Sequence, residues 1–149
     1  MPSVNDKATS LKTTSKDADW ILIVDDEFDI VSVFKQALER RGFRVFGFTE
    51  PALALEHFQI NSKRYSLVVS DLRMPVMNGY EFIKKVKEIK PRVKAFLMTA
   101  FEINYPEFRS VFSNTEIEGL LQKPVSLADL ANTIGKYIPS RYDMNKLVS

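Results

Sequence analysis

The chain has 149 residues, 45% of them apolar and 27% charged, and a formal net charge of +2. That length closes one hydrophobic core rather than two domains, and the near-neutral balance excludes a dominating polybasic arm or acidic tail. With no cysteine and a single histidine, disulfides, thiolate metal sites, a cysteine nucleophile and a multi-histidine metal centre are all excluded.

Residues 1–18 mix Ser, Thr, Lys and Asp without an apolar signal segment and read as a mobile leader; the folded domain is expected at 19–139. Residues 140–149 read as a C-terminal tail too short to be an output domain. No run approaches the roughly 18 consecutive apolar residues of a membrane helix, so no membrane contact and a cytoplasmic location are expected. From Trp20 the chain alternates short continuous apolar runs with segments of helical spacing, the pattern of a parallel sheet covered on both faces. The first strand is expected at Trp20 to Val24, then a helix from Phe28 to Arg41 with Ile30, Val31, Phe34 and Leu38 inward, stopped by Gly42. Arg44 to Phe48 reads as a second strand and Glu50 to Ile60 as a helix with Pro51 in its first turn. His57, on that helix, has no acidic or histidine partner at helical spacing and is expected to be an unremarkable exposed residue.

Tyr65 to Ser70 is the third predicted strand and Asn78 to Ile89 the next helix, with Phe82, Ile83, Val86 and Ile89 inward. Val93 to Met98 and Gly119 to Leu121 complete the strands. Between them Pro106 pushes a helix start to about Tyr105 to Glu107, and Phe101, Tyr105, Phe108, Val111 and Phe112 crowd it with aromatic and apolar side chains. Either core packing or a partner patch, including a homodimer through the 101–121 surface, accounts for that crowding. The last helix is capped by Ser126 and carries a stripe of Leu127, Leu130, Ala131, Ile134 and Ile138 before Pro139. The basic run Lys84, Lys85, Lys87, Lys90, Arg92 and Lys94 reads mainly as a solvated face, the other reading being a docking surface for an acidic partner. With no DNA-reading module in the sequence, nucleic acid is not an expected partner.

Ligands of open parallel sheets bind beyond the carboxyl ends of the strands. Those ends carry Asp25, Asp26 and Glu27 after the first strand, Asp71 after the third, Thr99 after the fourth, and Lys123 with Pro124 after the fifth. Turn formation explains any one of them singly, but not the joint pattern. Three carboxylates in one pocket repel by roughly 4 kcal/mol per pair at about 4 Å and an effective dielectric near 20, so a cation is required. Hard oxygen donors with room for water and phosphate oxygens favour Mg²⁺. Three carboxylates then balance one divalent ion and Lys123, a charge pattern suited to phosphoryl transfer.

The set Asp25-Asp26-Glu27, Asp71-Leu72-Arg73-Met74-Pro75-Val76-Met77-Asn78-Gly79, Thr99-Ala100 and Lys123-Pro124 resembles the receiver domain of two-component response regulators, of the stand-alone type. The resemblance covers roughly residues 19 to 138. It implies a doubly wound α/β fold of flavodoxin-like topology with strand order 2-1-3-4-5, and a signalling module rather than an enzyme with an external substrate. It implies that Asp71 accepts a phosphoryl group from a histidine kinase or histidine phosphotransfer protein, changing the binding of a downstream protein. It also implies Mg²⁺ held by Asp26, Asp71 and the Arg73 backbone carbonyl directly and by Asp25 through water, with Lys123 and Thr99 on the phosphoryl oxygens. The Lys123-Pro124 bond is cis in that family, and Gly79 suits a tight turn where a Cβ would intrude.

The sequence also departs from the family pattern. Leu120 stands where the resemblance places a Tyr or Phe three residues before the lysine, which implies output through the 101–118 segment instead. Arg73 and Phe101, two residues after Asp71 and Thr99, are bulky, which implies slow hydrolysis of the acyl phosphate. Two alternatives are a pseudo-receiver that only scaffolds and a phosphohydrolase of the haloacid-dehalogenase type. The second lacks its Asp-x-Asp nucleophile motif, because Arg73 occupies the second acidic position.

Overall fold

The mostly apolar segments Trp20–Val24, Tyr65–Asp71 and Lys94–Thr99 contain no Gly or Pro, and they form the centre of a parallel sheet. The computed structural model describes residues 19–100 and 117–138. In chain order these hold β1 (Trp20–Val24), α1 (Phe28–Arg40), β2 (Arg44–Phe48), α2 (Pro51–Ile60), a 3-10 turn (Ser62–Arg64), β3 (Tyr65–Asp71), α3 (Gly79–Ile89), β4 (Lys94–Thr99), β5 (Gly119–Gln122) and α4 (Leu127–Gly135). The five strands lie in the order β2-β1-β3-β4-β5, with every neighbouring pair parallel, as expected.

Strand alternation sends successive side chains to opposite faces. Ile21, Ile23, Leu67, Val69, Phe96 and Met98 pack on one side with Phe34 and Leu38 of α1 and Leu130 and Ile134 of α4. Leu22, Val24, Val68 and Leu97 pack on the other side with Phe58 of α2 and Phe82, Ile83 and Val86 of α3. Full burial of each such side chain stabilises the fold by roughly 1.5–3 kcal/mol before conformational entropy is charged. α3 and α4 start where the sequence supplies side-chain caps. Asn78 and Glu81 exchange side-chain and backbone hydrogen bonds at 2.8 and 3.0 Å, and the Ser126 hydroxyl accepts from the Asp129 N–H at 3.2 Å. No described helix is long and apolar enough to cross a membrane.

Several expectations are corrected. β3 and β4 each extend further than the apolar runs and include Asp71 and Thr99, because the Leu72 N–H still bonds the Met98 carbonyl at 2.8 Å. Leu127, in the first turn of α4, is 37% exposed, and the buried stripe begins at Leu130. His57 is not an exposed bystander: its ring lies among Phe46, Phe48, Trp20 and Tyr65, and its Nδ1 pairs with the buried Tyr65 hydroxyl at 3.0 Å. The partner is an aromatic hydroxyl from another element, which helical spacing does not reveal. The basic run is mainly solvated, with Lys84, Lys85, Arg92 and Lys94 exposed, but two of its members are tied down. Lys90 Nζ donates to the carbonyls of Ser62 and Tyr65, and Lys87 pairs with Glu118 at 3.4 Å.

The leader, Pro139, the tail, and the expectations for Phe101, Tyr105, Pro106, Phe108, Val111 and Phe112 lie outside the described residues. Most of the 101–121 surface therefore does too.

Candidate functional site

Because the strands are parallel, their carboxyl ends share one rim, and α1, α3 and α4 begin there. Asp25 is the residue after β1 and is fully buried; Asp71 ends β3 with 7% exposure; Thr99 ends β4 and is buried. Asp26 is exposed beside them. Oxygen atoms of Asp25, Asp26 and Asp71 all lie within 4.8 Å of one another. Lys123, 98 residues along the chain from Asp25, reaches in from the β5 end with Nζ 2.9 Å from Asp25 Oδ2 and 3.2 Å from Asp71 Oδ1. Its bond to Pro124 is cis.

The backbone holds this arrangement in place. The Asp25 N–H bonds the Phe48 carbonyl at 3.1 Å, and the Glu27 N–H donates to Asp25 Oδ1 at 2.9 Å. The Lys123 N–H bonds the Thr99 carbonyl at 2.7 Å. Gly79 opens α3 directly against the Asp71 backbone: a Cβ there would overlap the Asp71 carbonyl oxygen and press on Leu97. Its role is close approach rather than an unusual φ. Ser70, which the sequence reading passed over, donates its buried hydroxyl to the Asp71 carbonyl at 2.9 Å. A serine directly before the aspartate, after the apolar Leu67, Val68 and Val69, is the signal that could have found it.

The electrostatics follow from that crowding. Burial and then the Asp25 charge push the Asp71 carboxyl up to about 6; Lys123 opposes the shift and Asp26 adds to it. Burial alone would lower the Lys123 ammonium, but its hydrogen bond and charge pairing with Asp25, reinforced by Asp71, raise it above the usual lysine range. Two full negative charges at about 4.8 Å repel by roughly 3–4 kcal/mol at an effective dielectric near 20. Three carboxylates against one ammonium leave two negative charges, and an all-oxygen donor set at this spacing fits one hard divalent cation.

Of the predicted site residues that fall among the described ones, Asp25, Asp26, Asp71, Thr99 and Lys123 meet at this rim, and Arg73 stands in the loop after β3. Leu120 sits on β5, half-buried against the α2–α3 side of the core. Phe101 lies outside the described residues.

The family model of the response regulator receiver domain matches residues 21–135. Sporulation initiation phosphotransferase F of Bacillus subtilis is 28% identical over 121 residues, covering 80% of this chain and 93% of that protein. Response regulator receiver protein CpdR of Brucella abortus is 32% identical over 123 residues, covering 79% and 95%. A response regulator receiver domain protein from Clostridium thermocellum superposes with a TM-score of 0.72 at 25% identity, covering 87% of this chain and 98% of that one. Sheet order, strand-end chemistry and these likenesses agree: the chain belongs to the response regulator receiver domain family, the phosphorylation-activated signalling modules of two-component systems.

Proposed function

We propose that Asp71 is the phosphoacceptor and that its donor is the phosphohistidine of a histidine kinase or histidine phosphotransfer protein. The observation carrying this reading is the packing of Asp25, Asp26 and Asp71 within 4.8 Å around one ammonium, Lys123. An Asp71 carboxylate oxygen attacks phosphorus; the new O–P bond makes an acyl phosphate as the P–N bond to the imidazole breaks, and the released nitrogen takes a proton from solvent. With a carboxyl near 6, Asp71 is mostly ionised at neutral pH and is a competent nucleophile. Lys123, already 3.2 Å from Asp71 Oδ1, pairs with the transferred phosphoryl oxygens, and Thr99 on the adjacent strand hydrogen-bonds them.

Mg²⁺ is the fitting cation: Asp26, Asp71 and the Arg73 carbonyl would hold it, with Asp25 through water, and it would supply charge neutralisation for the moving phosphoryl group. Arg73 and Phe101 screen the acyl phosphate from water and slow its hydrolysis. The phosphorylated chain then binds a downstream protein in the cytoplasm; its only turnover is loss of its own phosphoryl group.

Intact mass after incubation with acetyl phosphate tests this. One phosphoryl gain is expected, lost in Asp71→Asn and lost without Mg²⁺. No gain from acetyl phosphate or from a phosphohistidine donor would leave a scaffold as the better reading.

A further inference from the structure

Beside the carboxylate cluster lies a separate cavity of about 270 Å³ between the start of α2 and the loop after β3. Asp26 belongs to both. The remaining wall is Thr49, Glu50, Pro51 and Ala52 on one side and Pro75, Val76 and Met77 on the other. Val76 is fully exposed and holds φ of 72°, a left-handed conformation that a β-branched residue rarely adopts. The loop therefore presents an apolar side chain to solvent at the lip of the cavity and accepts strained backbone to do so. Glu50 is the N-cap residue of α2, yet its side chain makes no capping hydrogen bond, so its carboxylate is not spent on its own helix.

Charge selects the occupant. Once a divalent ion and Lys123 balance Asp25, Asp26 and Asp71, Glu50 remains as the uncompensated carboxylate of this cavity. The nearby N-terminus of α2 offers only about half a positive charge against it. An apolar wall ending in a carboxylate fits a side chain with an aliphatic stem and a cationic head. Because Asp26 is common to cavity and cluster, a group seated there stands beside the phosphoryl group during transfer, and the protein that must be present at that moment is the donor.

We propose that this cavity receives a lysine or arginine side chain of the phosphodonor protein, its stem on Pro51, Pro75, Val76 and Met77 and its cation on Glu50, and so selects among donors. The inference rests on the phosphoacceptor reading above. Amide chemical shifts of the full chain with Mg²⁺ are followed during titration with n-butylguanidinium, and in parallel with n-butanol and butyrate. The expected result is saturating shifts confined to the amides of Asp26, Thr49, Glu50, Ala52, Val76 and Met77 with n-butylguanidinium only. Affinity should fall roughly two- to five-fold in Glu50→Gln, the size of one exposed charge pair. It should vanish in Ala52→Trp, whose new ring fills the cavity from an exposed position. Equal response to butanol or butyrate, shifts elsewhere, or unchanged binding in either variant overturns the proposal. Phosphoryl gain by the unsubstituted chain from acetyl phosphate, measured on the same preparation, reports separately on the phosphoacceptor reading.

Discussion

The same strands end in opposite chemistry. At their amino ends, Trp20 of β1 and Tyr65 of β3 meet Phe46 and His57 with ring centroids 4.4 to 6.3 Å apart, and the Arg64 guanidinium lies 5.2 Å from the Trp20 ring centre. At their carboxyl ends, about 17 Å away along five residues of strand, sit Asp25 and Asp71, forced together against their charge. One end gains stability from its contacts, and the other surrenders stability for a reactive carboxylate. Burial shifts a titratable group at each end, in opposite directions: it pushes Asp71 up to about 6 and His57 down from the usual imidazole value.

The sharpest way to break the contrast is to remove the ammonium that pairs with both buried carboxylates. Lys123→Met leaves Asp25 and Asp71 facing each other unpaired, and in metal-free buffer the urea-unfolding free energy should fall by about 3–5 kcal/mol. Mg²⁺ should restore part of the loss; equal stability in chelator would mean that the ion pair does not hold this rim together.

Removing the repulsion instead should stabilise. Asp71→Asn should raise metal-free stability at pH 8 by about 1–3 kcal/mol, the scale of a two-unit shift in a mostly buried group. The folded-state value of Asp71 lies above its unfolded one, so its favourable contribution is complete below the unfolded value of 3.8 and is lost as pH rises through about 6. Asp71→Asn should therefore gain its advantage across that window and show none at pH 3.5, as read by urea titrations at each pH.

At the aromatic end the slope reverses. His57 is depressed by burial, so its contribution is present above 6.5 and is lost as pH falls through its lower folded value. His57→Leu should cost about 1–3 kcal/mol at pH 8, because the buried Tyr65 hydroxyl loses its partner. The cost should shrink as pH falls below 6.5, because burial disfavours the charged imidazole in the folded chain. Tyr65→Phe, which removes the hydroxyl itself, should cost least, about 1 kcal/mol; a larger loss would show that the pair does more than satisfy a buried group.

The two ends were unequally legible. Asp25, Asp26, Asp71, Thr99 and Lys123 could be read because each closes a strand, and a parallel sheet brings strand ends together whatever the separation in sequence. His57 was misread because its partner, Tyr65, belongs to another element and faces it only once α2 packs on the sheet. Lys90 looked like one charge in a basic run, but its ammonium caps carbonyls of the turn before β3.

Local pattern alone determined the strands, the helices, their caps and which end of the sheet carries the chemistry, since apolar period and turn residues are properties of neighbouring positions. Only the tertiary structure decided that Lys123 sits between Asp25 and Asp71, that Gly79 touches the Asp71 backbone, and that Val76 and Glu50 frame a cavity beside it. Each of these joins residues from different elements, and the energies that choose them, charge pairing, desolvation and close packing, depend on distances that exist only after the sheet has formed.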